Sequence, residues 1–482
     1  MKNYTHDLII IGGGSGGLTV AAGAAQLGLK TALIEKEHLG GDCLYFGCVP
    51  SKTLIHSAAV YAGRHGSDES GSLRPAPDPP VNLADAGPLM RRVRDVIDEI
   101  KPHDSPERFR KLGVDLRLET GEFTDPHTLR LSGGAVISAR KIVISTGSSP
   151  FIPPIPGLKE AGYITNREIF KLETIPRSLL VIGGGPIGVE MSQAFARLGT
   201  EVTLVDQADH VLGREDADMA SLVQQALAED GVRLHLKSTV VSVEQGTSGR
   251  EITIQGPGES PQRIKAEEIL VASGRRGNTE GLGLEAAGVE TSGSYIKVDE
   301  ALRTSRNHIY ACGDVNGRYL FTHAAGAEGS VLIRRIVFHL PAKMDYRRIP
   351  WSTYSDPELA SAGLNEKRAE ELGIPVKVLY TSFGENDRAR AENAAKGAIK
   401  ILLDRKDRIV GTQIAAAHAG ELITPAIFAI QEKWKIGKLL SPVFPYPTLS
   451  EIYRKAAGDY LSPRLFNEGT RKILRTLFRY RG

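Results

Sequence analysis

The chain has 482 residues, 41% of them hydrophobic and 24% charged, with a formal net charge of +3. That length exceeds what one hydrophobic core supports, so several domains are expected, and the small charge gives no case for nucleic acid. No apolar run approaches the roughly 18 residues that span a bilayer, and three cysteines cannot build a disulfide framework, which points to a reducing cytoplasm.

The N-terminal residues, MKNYTHDLIIIGGG, enter a strand within seven positions, which predicts no secretory signal. The continuous apolar run is that of a buried parallel strand. Gly12, Gly14 and Gly17 follow as GxGxxG, then a helix-period segment and a second strand, TALIE, ending at Glu35. Glycines let the backbone approach a pyrophosphate, the helix N-terminus stabilises its charge, and the strand-end acid binds ribose hydroxyls. The pattern returns in SLLVIGGGPIGVEMSQAFARLGTEVTLVDQ, where Gly183, Gly185, Gly188 and Asp206 each stand 171 positions after their counterparts. Two dinucleotide sites are therefore expected. The acid at 206 favours NADH over NADPH, whose 2′-phosphate it would repel.

Between the two turns lies GGDCLYFGCVPSK, residues 40–52. In an ideal helix residues five apart rise about 7.5 Å, beyond comfortable disulfide reach. The chain between Cys43 and Cys48 is thus expected to be irregular, with Gly47 permitting it. Pro50 suits the first turn of a helix. Cys48 would then sit at a helix N-terminus with Lys52 one turn on, and both features lower a thiol's pKa. No third cysteine or histidine lies nearby in sequence, so no metal is expected. Cys312, alone before GDV, reads as a small buried side chain.

Cys-x4-Cys-Val-Pro-Ser-Lys between two GxGxxG turns resembles the pyridine nucleotide–disulfide oxidoreductases, which include glutathione reductase, dihydrolipoamide dehydrogenase and mercuric reductase. The resemblance covers about residues 5–463 and implies an α/β fold of two Rossmann-like dinucleotide-binding domains, for FAD and NAD, plus a C-terminal α+β interface domain. The boundaries implied are 1–150 and 281–348 for the FAD domain, 151–280 for the NAD domain, 349–464 for the interface domain and 465–482 for a tail. ISTGSSPFIPPIPG (144–157) and ILVASGRRGN (269–278) resemble the segments leaving the two nucleotide domains. By the same resemblance Asp314, in HIYACGDV, holds the flavin's ribityl chain, and a helix at 320–336 points its N-terminus at the flavin. Lys36, Gly41, Asp42, Lys52, Gly121, Thr146, Gly147 and Thr322 join the FAD set, and Gly274 the NAD set. Cys48 would face the flavin and Cys43 would be the exposed thiol that attacks substrate, with Lys52 paired to Glu190. A homodimer with each active site shared between subunits is implied.

Two departures stand out. Asp42 occupies a position where many relatives have threonine beside the flavin pyrophosphate. Where the disulfide reductases carry His-Pro-Thr-x-x-Glu, this chain reads Tyr446-Pro447-Thr448-x-x-Glu451. Tyrosine, with a reference pKa near 10, is a poor base at neutral pH but can donate a proton or hydrogen bond. Mercuric reductases also place a tyrosine here, yet they use a cysteine pair near the C-terminus, and this chain has no cysteine after Cys312. Histidines that could substitute are His103, His323 and His418, each with a structural reading beside it. GRHGSDESGSLRPAPDPPVN, within 62–82, reads as an exposed insertion loop. The tail RLFNEGTRKILRTLFRYRG carries six Lys/Arg against one acid. It reads either as a basic amphipathic helix for a membrane surface or partner, or as a helix docked on the protein's own dimer.

The expected activity is electron transfer from NADH to FAD to the Cys43–Cys48 disulfide and on to an outside disulfide or electrophile. The alternatives are dihydrolipoamide dehydrogenase, a mercuric reductase-like enzyme, a membrane-surface flavoprotein passing electrons to a quinone, and a non-catalytic flavin-binding partner.

Overall fold

The computed structural model describes residues 3–65, 86–247 and 249–481. Contacts group the chain into two units, Met1–Gln207 with Val232–Asp345, and Ala208–Gly231 with Tyr346–Gly482.

In the first unit the opening apolar run forms the strand His6–Ile11, flanked in parallel by Thr31–Ile34 and Val136–Ile144. Ile10 stands beside Leu33 on one side and Val143 on the other, so the strand is covered laterally by apolar residues as well as above and below. Asp115–Arg117 and Ile309–Ala311 extend the parallel sheet, while Thr128–Leu131 pairs antiparallel with the start of Val136–Ile144 and Gly121–Asp125 pairs antiparallel with Thr128–Leu131. A second parallel sheet centres on Ser178–Ile182, between Glu201–Val205 and Glu268–Val271, with Arg233–His235 at its edge. Both sheets read as uninterrupted apolar runs because each face is buried.

Helix α1 (Ser15–Gln26) follows the first glycine turn. The cysteine segment forms two helices, α2 (Gly41–Tyr45) and α3 (Cys48–His65). After the second glycine turn comes α4 (Pro186–Arg197), and α5 (Thr322–Ile336) lies near the end of the unit. Small residues let α1 and α5 pack closely: a Cβ on Gly329 would stand 3.0 Å from the Gly16 carbonyl oxygen, and one on Gly16 2.9 Å from Cys312 Sγ. Cys312 is completely buried, as expected. Residues 62–65, expected to begin an insertion loop, instead complete α3, because its helix period runs on through Val60 and Tyr61. The remainder of that stretch, from residue 66, lies outside the described residues.

The second unit holds a five-stranded antiparallel sheet in the order Trp351–Thr353, Glu358–Gly363, Ile409–Ala416, Ala398–Leu403, Lys377–Ser382. Helix α6 (Ile452–Leu465) packs on it through Ile452, Tyr453 and Ala456, against Phe383, Ile399 and Ile401. Helix α7 (Glu468–Arg481) follows. The strand Ala398–Leu403 is buried at every position, including Lys400. A buried ammonium is tolerated only when paired, and Lys400 Nζ lies 3.2 Å from Asp216, 2.6 Å from Asp218 and 2.5 Å from Glu366. These acids gather round the lysine, so the ammonium already fills their centre. Lys400→Met is expected to cost about 3–5 kcal/mol, since three carboxylates then lose their counter-ion; an unchanged thermal midpoint would show that the network contributes nothing.

Candidate active site around Cys43 and Cys48

The two glycine turns are built alike. Gly12 and Gly183 take φ of +107° and +111°, where L side chains are strained. A Cβ on Gly17 would collide with the Gly12 carbonyl, and one on Gly188 with the Gly183 carbonyl. Gly14 and Gly185 precede α1 and α4 without a side-chain cap, and a Cβ on either would meet open space. Each helix therefore presents uncapped N–H groups to a cradle that only backbone lines, which suits a dinucleotide phosphate. Glu35 Oε2 accepts from Gly13 N at 2.6 Å, and Asp206 Oδ2 accepts from Gly184 N. Both strand-end acids thus stand against their own turns. Lys36 is exposed beyond the first of them.

Within the cysteine segment the helix breaks at Phe46–Gly47 and restarts at Cys48. Gly47 serves by its size, not by an unusual φ: a Cβ there would stand 3.0 Å from the Asp42 carbonyl oxygen and 3.2 Å from Cys43 Cα. Both thiols are free. Cys48 Sγ lies 3.4 Å from Thr322 Oγ1, at the first turn of α5. Cys48 is pulled down to about 6, chiefly by a hydrogen bond from the Cys43 thiol, then by the Thr322 hydroxyl and the Lys52 charge, against the opposing effect of burial. The same hydrogen bond, together with burial, pushes Cys43 well above the ordinary thiol range. When both cysteines are reduced, these shifts place the proton on Cys43 and the negative charge on Cys48. Cys43 is half-buried and Cys48 exposed within the chain, because Cys43 belongs to α2, which packs under the start of α3. Lys52 Nζ meets the Glu190 carboxylate at 2.9 and 3.1 Å, joining α3 to α4 as the pairing of these residues implied.

The two segments expected to leave the nucleotide domains pair with each other. Ser148–Pro150 and Arg275–Gly277 form an antiparallel ribbon, and Asn278 closes it with bonds to the carbonyls of Thr146 (2.8 Å, from Nδ2) and Gly147 (3.0 Å, from its backbone N–H). Gly274, at φ +121°, bends the chain into it. Arg275 emerges from this ribbon to bond Asp42 Oδ2 at 3.0 Å and Ser148 Oγ at 2.6 Å. Ser148 Oγ in turn donates to Asp314 at 2.5 Å. Burial raises the pKa of Asp314 above the usual carboxylate range, opposed by the Arg275 charge. The 3-10 turn carrying Asp314 is held by buried Glu328 of α5, which accepts from Gly313 N (2.6 Å) and Asn316 Nδ2 (2.9 Å). Gly121 is buried against Leu129, Leu131 and Ile34, where a larger residue would crowd the strand pair.

Tyr446 belongs to the second unit. Its ring is 73% exposed, and its hydroxyl donates to Asp387 Oδ2 at 3.1 Å. That carboxylate raises the phenol's pKa above its ordinary value. Glu451, expected to act with residue 446, instead accepts from Thr448 N at 3.2 Å in a capping box that starts the turn before α6. The physical reason is local: a free helix N-terminus three residues upstream is the nearest donor for a glutamate. Asn386 Nδ2 donates to the Thr448 carbonyl at 3.1 Å, so the adjacent residues Asn386 and Asp387 both hold the Tyr446 loop.

Residues that sequence reasoning missed are Arg275, Ser148, Asn166, Glu328 and Asp387. Each acts across more than ten positions of sequence; Ser148 and Arg275 lie in segments that the resemblance picks out, but nothing there gives their partners.

Comparison with known proteins agrees with this geometry. Residues 6–329 match the family model described as pyridine nucleotide-disulphide oxidoreductase, and residues 349–457 match the dimerisation domain of the same family. A mercuric reductase of Staphylococcus aureus is 32% identical over 458 residues, spanning 95% of this chain and 82% of that one. A dihydrolipoyl dehydrogenase of Chlorobaculum tepidum is 33% identical over 474 residues, 94% of this chain and 97% of that one. Among solved structures, the HOCl-induced flavoprotein disulfide reductase RclA of Escherichia coli superposes with a TM-score of 0.81 at 27% identity, covering 94% of this chain and 99% of that one. The dimerisation domain supports assembly as a homodimer. With its paired glycine turns, coupled cysteines and dimerisation domain, the chain belongs to the pyridine nucleotide-disulphide oxidoreductases, enzymes that use FAD and NAD(P)H to act on sulfur groups.

Proposed function

We propose that the enzyme reduces an external disulfide or comparable electrophile with electrons from NADH, through the Cys43–Cys48 pair. The observation that carries this reading is the placement of Cys48 at the start of α3, 3.4 Å from the Thr322 hydroxyl and one turn from Lys52, with Cys43 in the adjoining helix α2. FAD, held at the α1 N-terminus by the Gly12–Gly17 turn, Glu35, Thr146, Gly147, Asp314 and Thr322, supplies two-electron transfer between nicotinamide and disulfide. NADH is held at the α4 N-terminus, with Asp206 selecting the free ribose hydroxyl. As Cys43 attacks, its proton passes to Cys48 Sγ, so the pair carries its own base. Cys48 hands that proton to the first substrate thiolate to leave and, a thiolate again beside Lys52 and the Thr322 hydroxyl, attacks the Cys43 sulfur of the mixed disulfide, expelling the second substrate thiolate, which is protonated from solvent.

Tyr446, kept protonated by Asp387, serves as a hydrogen-bond donor to the departing thiolate, contributed by the partner subunit in a shared site. Dithiol oxidation requires a base on the substrate side and fits this tyrosine poorly, so dihydrolipoamide dehydrogenase activity is the weaker reading. Mercury reduction has Tyr446 in its favour but lacks a C-terminal cysteine pair. A cytoplasmic location suits the three free cysteines.

The tail favours one further partner. On α7, Ile473, Leu474, Leu477 and Phe478 are exposed along one face, and Arg471, Lys472, Arg475 and Arg479 occupy the opposite arc. No helix among the described residues is long and apolar enough to cross a membrane. A helix of this kind lies in the interface of an anionic bilayer, where a quinone could accept electrons.

Three measurements test these readings. Anaerobic NADH titration should yield long-wavelength thiolate–flavin absorption at the two-electron stage. That band should grow as pH rises through about 6 and fade below it, since only the Cys48 thiolate contributes; a pH-independent band, or flavin bleaching alone, contradicts the couple. Cys43→Ser should retain NADH oxidation by the flavin while lowering disulfide reduction by about a hundredfold or more; full turnover with a quinone in that variant would favour the membrane reading instead. Co-sedimentation with liposomes containing anionic lipid should depend on residues 465–482, and equal binding by the chain lacking them would remove the tail's role.

A further inference from the structure

Asp42 poses an electrostatic problem. A Cβ on Gly41 would stand 3.0 Å from Gly14 Cα, so Gly41 leans directly on the cradle before α1. Asp42 is the next residue, and its carboxylate adds negative charge where a pyrophosphate is to be held. By the resemblance, many relatives carry an uncharged threonine there. Without a cation, acid and phosphate would each raise the cost of burying the other.

Arg275 is placed to solve it. Its Nη2 meets Asp42 Oδ2 at 3.0 Å, its Nε lies 3.7 Å from Asp314 Oδ2, and only 12% of its side chain is exposed. The same two nitrogens also donate to Ser148, Nε to its Oγ (2.6 Å) and Nη2 to its carbonyl (2.9 Å). The Tyr295 hydroxyl donates to the Arg275 carbonyl at 2.6 Å. A planar fork bridging two carboxylates is a task for arginine rather than lysine. The other end of the couple reaches the cysteines. Asn166 Nδ2 lies 3.4 Å from both Asp42 oxygens and donates to the Phe46 carbonyl at 2.9 Å, so Asp42 and Phe46, at the two ends of α2, share one partner. Cys43 lies between them.

We propose that Asp42 and Arg275 act as one unit: Arg275 is a positioning residue that neutralises Asp42 beside the dinucleotide phosphates and, through it, fixes the helix carrying Cys43. This rests on the assignment of FAD to the α1 N-terminus. The need for a cation at 275 arises from the acid at 42, so the two substitutions must be non-additive.

The test is a double-mutant cycle on FAD affinity, measured by flavin fluorescence on the apoproteins of the native chain, Arg275→Met, Asp42→Thr and the double variant. Arg275→Met is expected to weaken FAD about tenfold or more beside Asp42, and less than about threefold when Asp42→Thr is present. Thermal midpoints of the same apoproteins separate loss of fold from loss of flavin. A midpoint lowered by Arg275→Met should recover in the double variant. In the NADH-reduced holoprotein, Arg275→Met should also diminish the thiolate–flavin band, and Asp42→Thr should restore it. Equal losses of affinity in both backgrounds, or a midpoint that the second substitution does not restore, overturn the coupling while leaving the FAD site intact. A native chain that binds no FAD overturns the coupling and the site together.

Discussion

The arrangement turns on one interaction, the ion pair between Lys52 and Glu190. Glu190 sits in α4, directly behind the second glycine turn, and its side chain is 6% exposed. A carboxylate so enclosed demands a cation, and a cation supplied from another helix fixes that helix in place. Lys52 comes from α3 one turn after Cys48, so the charge requirement of one nucleotide segment positions the cysteine helix of the other. The same ammonium lies close enough to Cys48 to favour its thiolate. One pair therefore does two things that pull in the same direction: it ties α3 to α4, and it places positive charge where the thiolate forms.

On the proposed reading, a tyrosine in place of the familiar histidine favours disulfide reduction over dithiol oxidation. In the thiol–thiolate couple, Cys48 can take the proton that Cys43 sheds as it attacks. Asp387 holds the Tyr446 phenol protonated, so this side chain can donate a hydrogen bond but not act as a base. The reverse reaction has no such economy. A dithiol substrate must lose its proton to a base, and Tyr446 is moved away from that role by the carboxylate beside it.

Much of the site was legible because its signals are local. The glycine turns, their strand-end acids and the helix N-terminus at Cys48 follow from spacing within a few tens of residues, and the structure has each of them. The Lys52–Glu190 pairing came from resemblance and is present. What could not be read lies in long-range contacts. Arg275 follows the strand Glu268–Val271, and no periodicity says that it reaches Asp42, 233 positions away. Asp387 reads as an ordinary first-turn acid until its helix is seen to face Tyr446. Motif position gives Glu451 no partner, and in the structure it accepts from the Thr448 backbone while its charge still bears on Tyr446.

These long-range contacts share a logic. Asp42, Asp314, Glu190 and Asp387 each stand close to a functional group, and each has a partner drawn from a distant segment: Arg275 for the first two, Lys52 for Glu190, the Tyr446 hydroxyl for Asp387. A chain with a net charge of only +3 has no excess of cations to spread over a phosphate-binding surface. It must place individual ones by tertiary structure, and uncapped helix ends supply the remaining positive potential without any side chain. Positive charge at the site is thus mostly backbone, and the few buried cations restrain acids rather than bind phosphate directly. That division explains why the glycine turns declare themselves in the sequence while the cations that make the neighbouring acids tolerable do not.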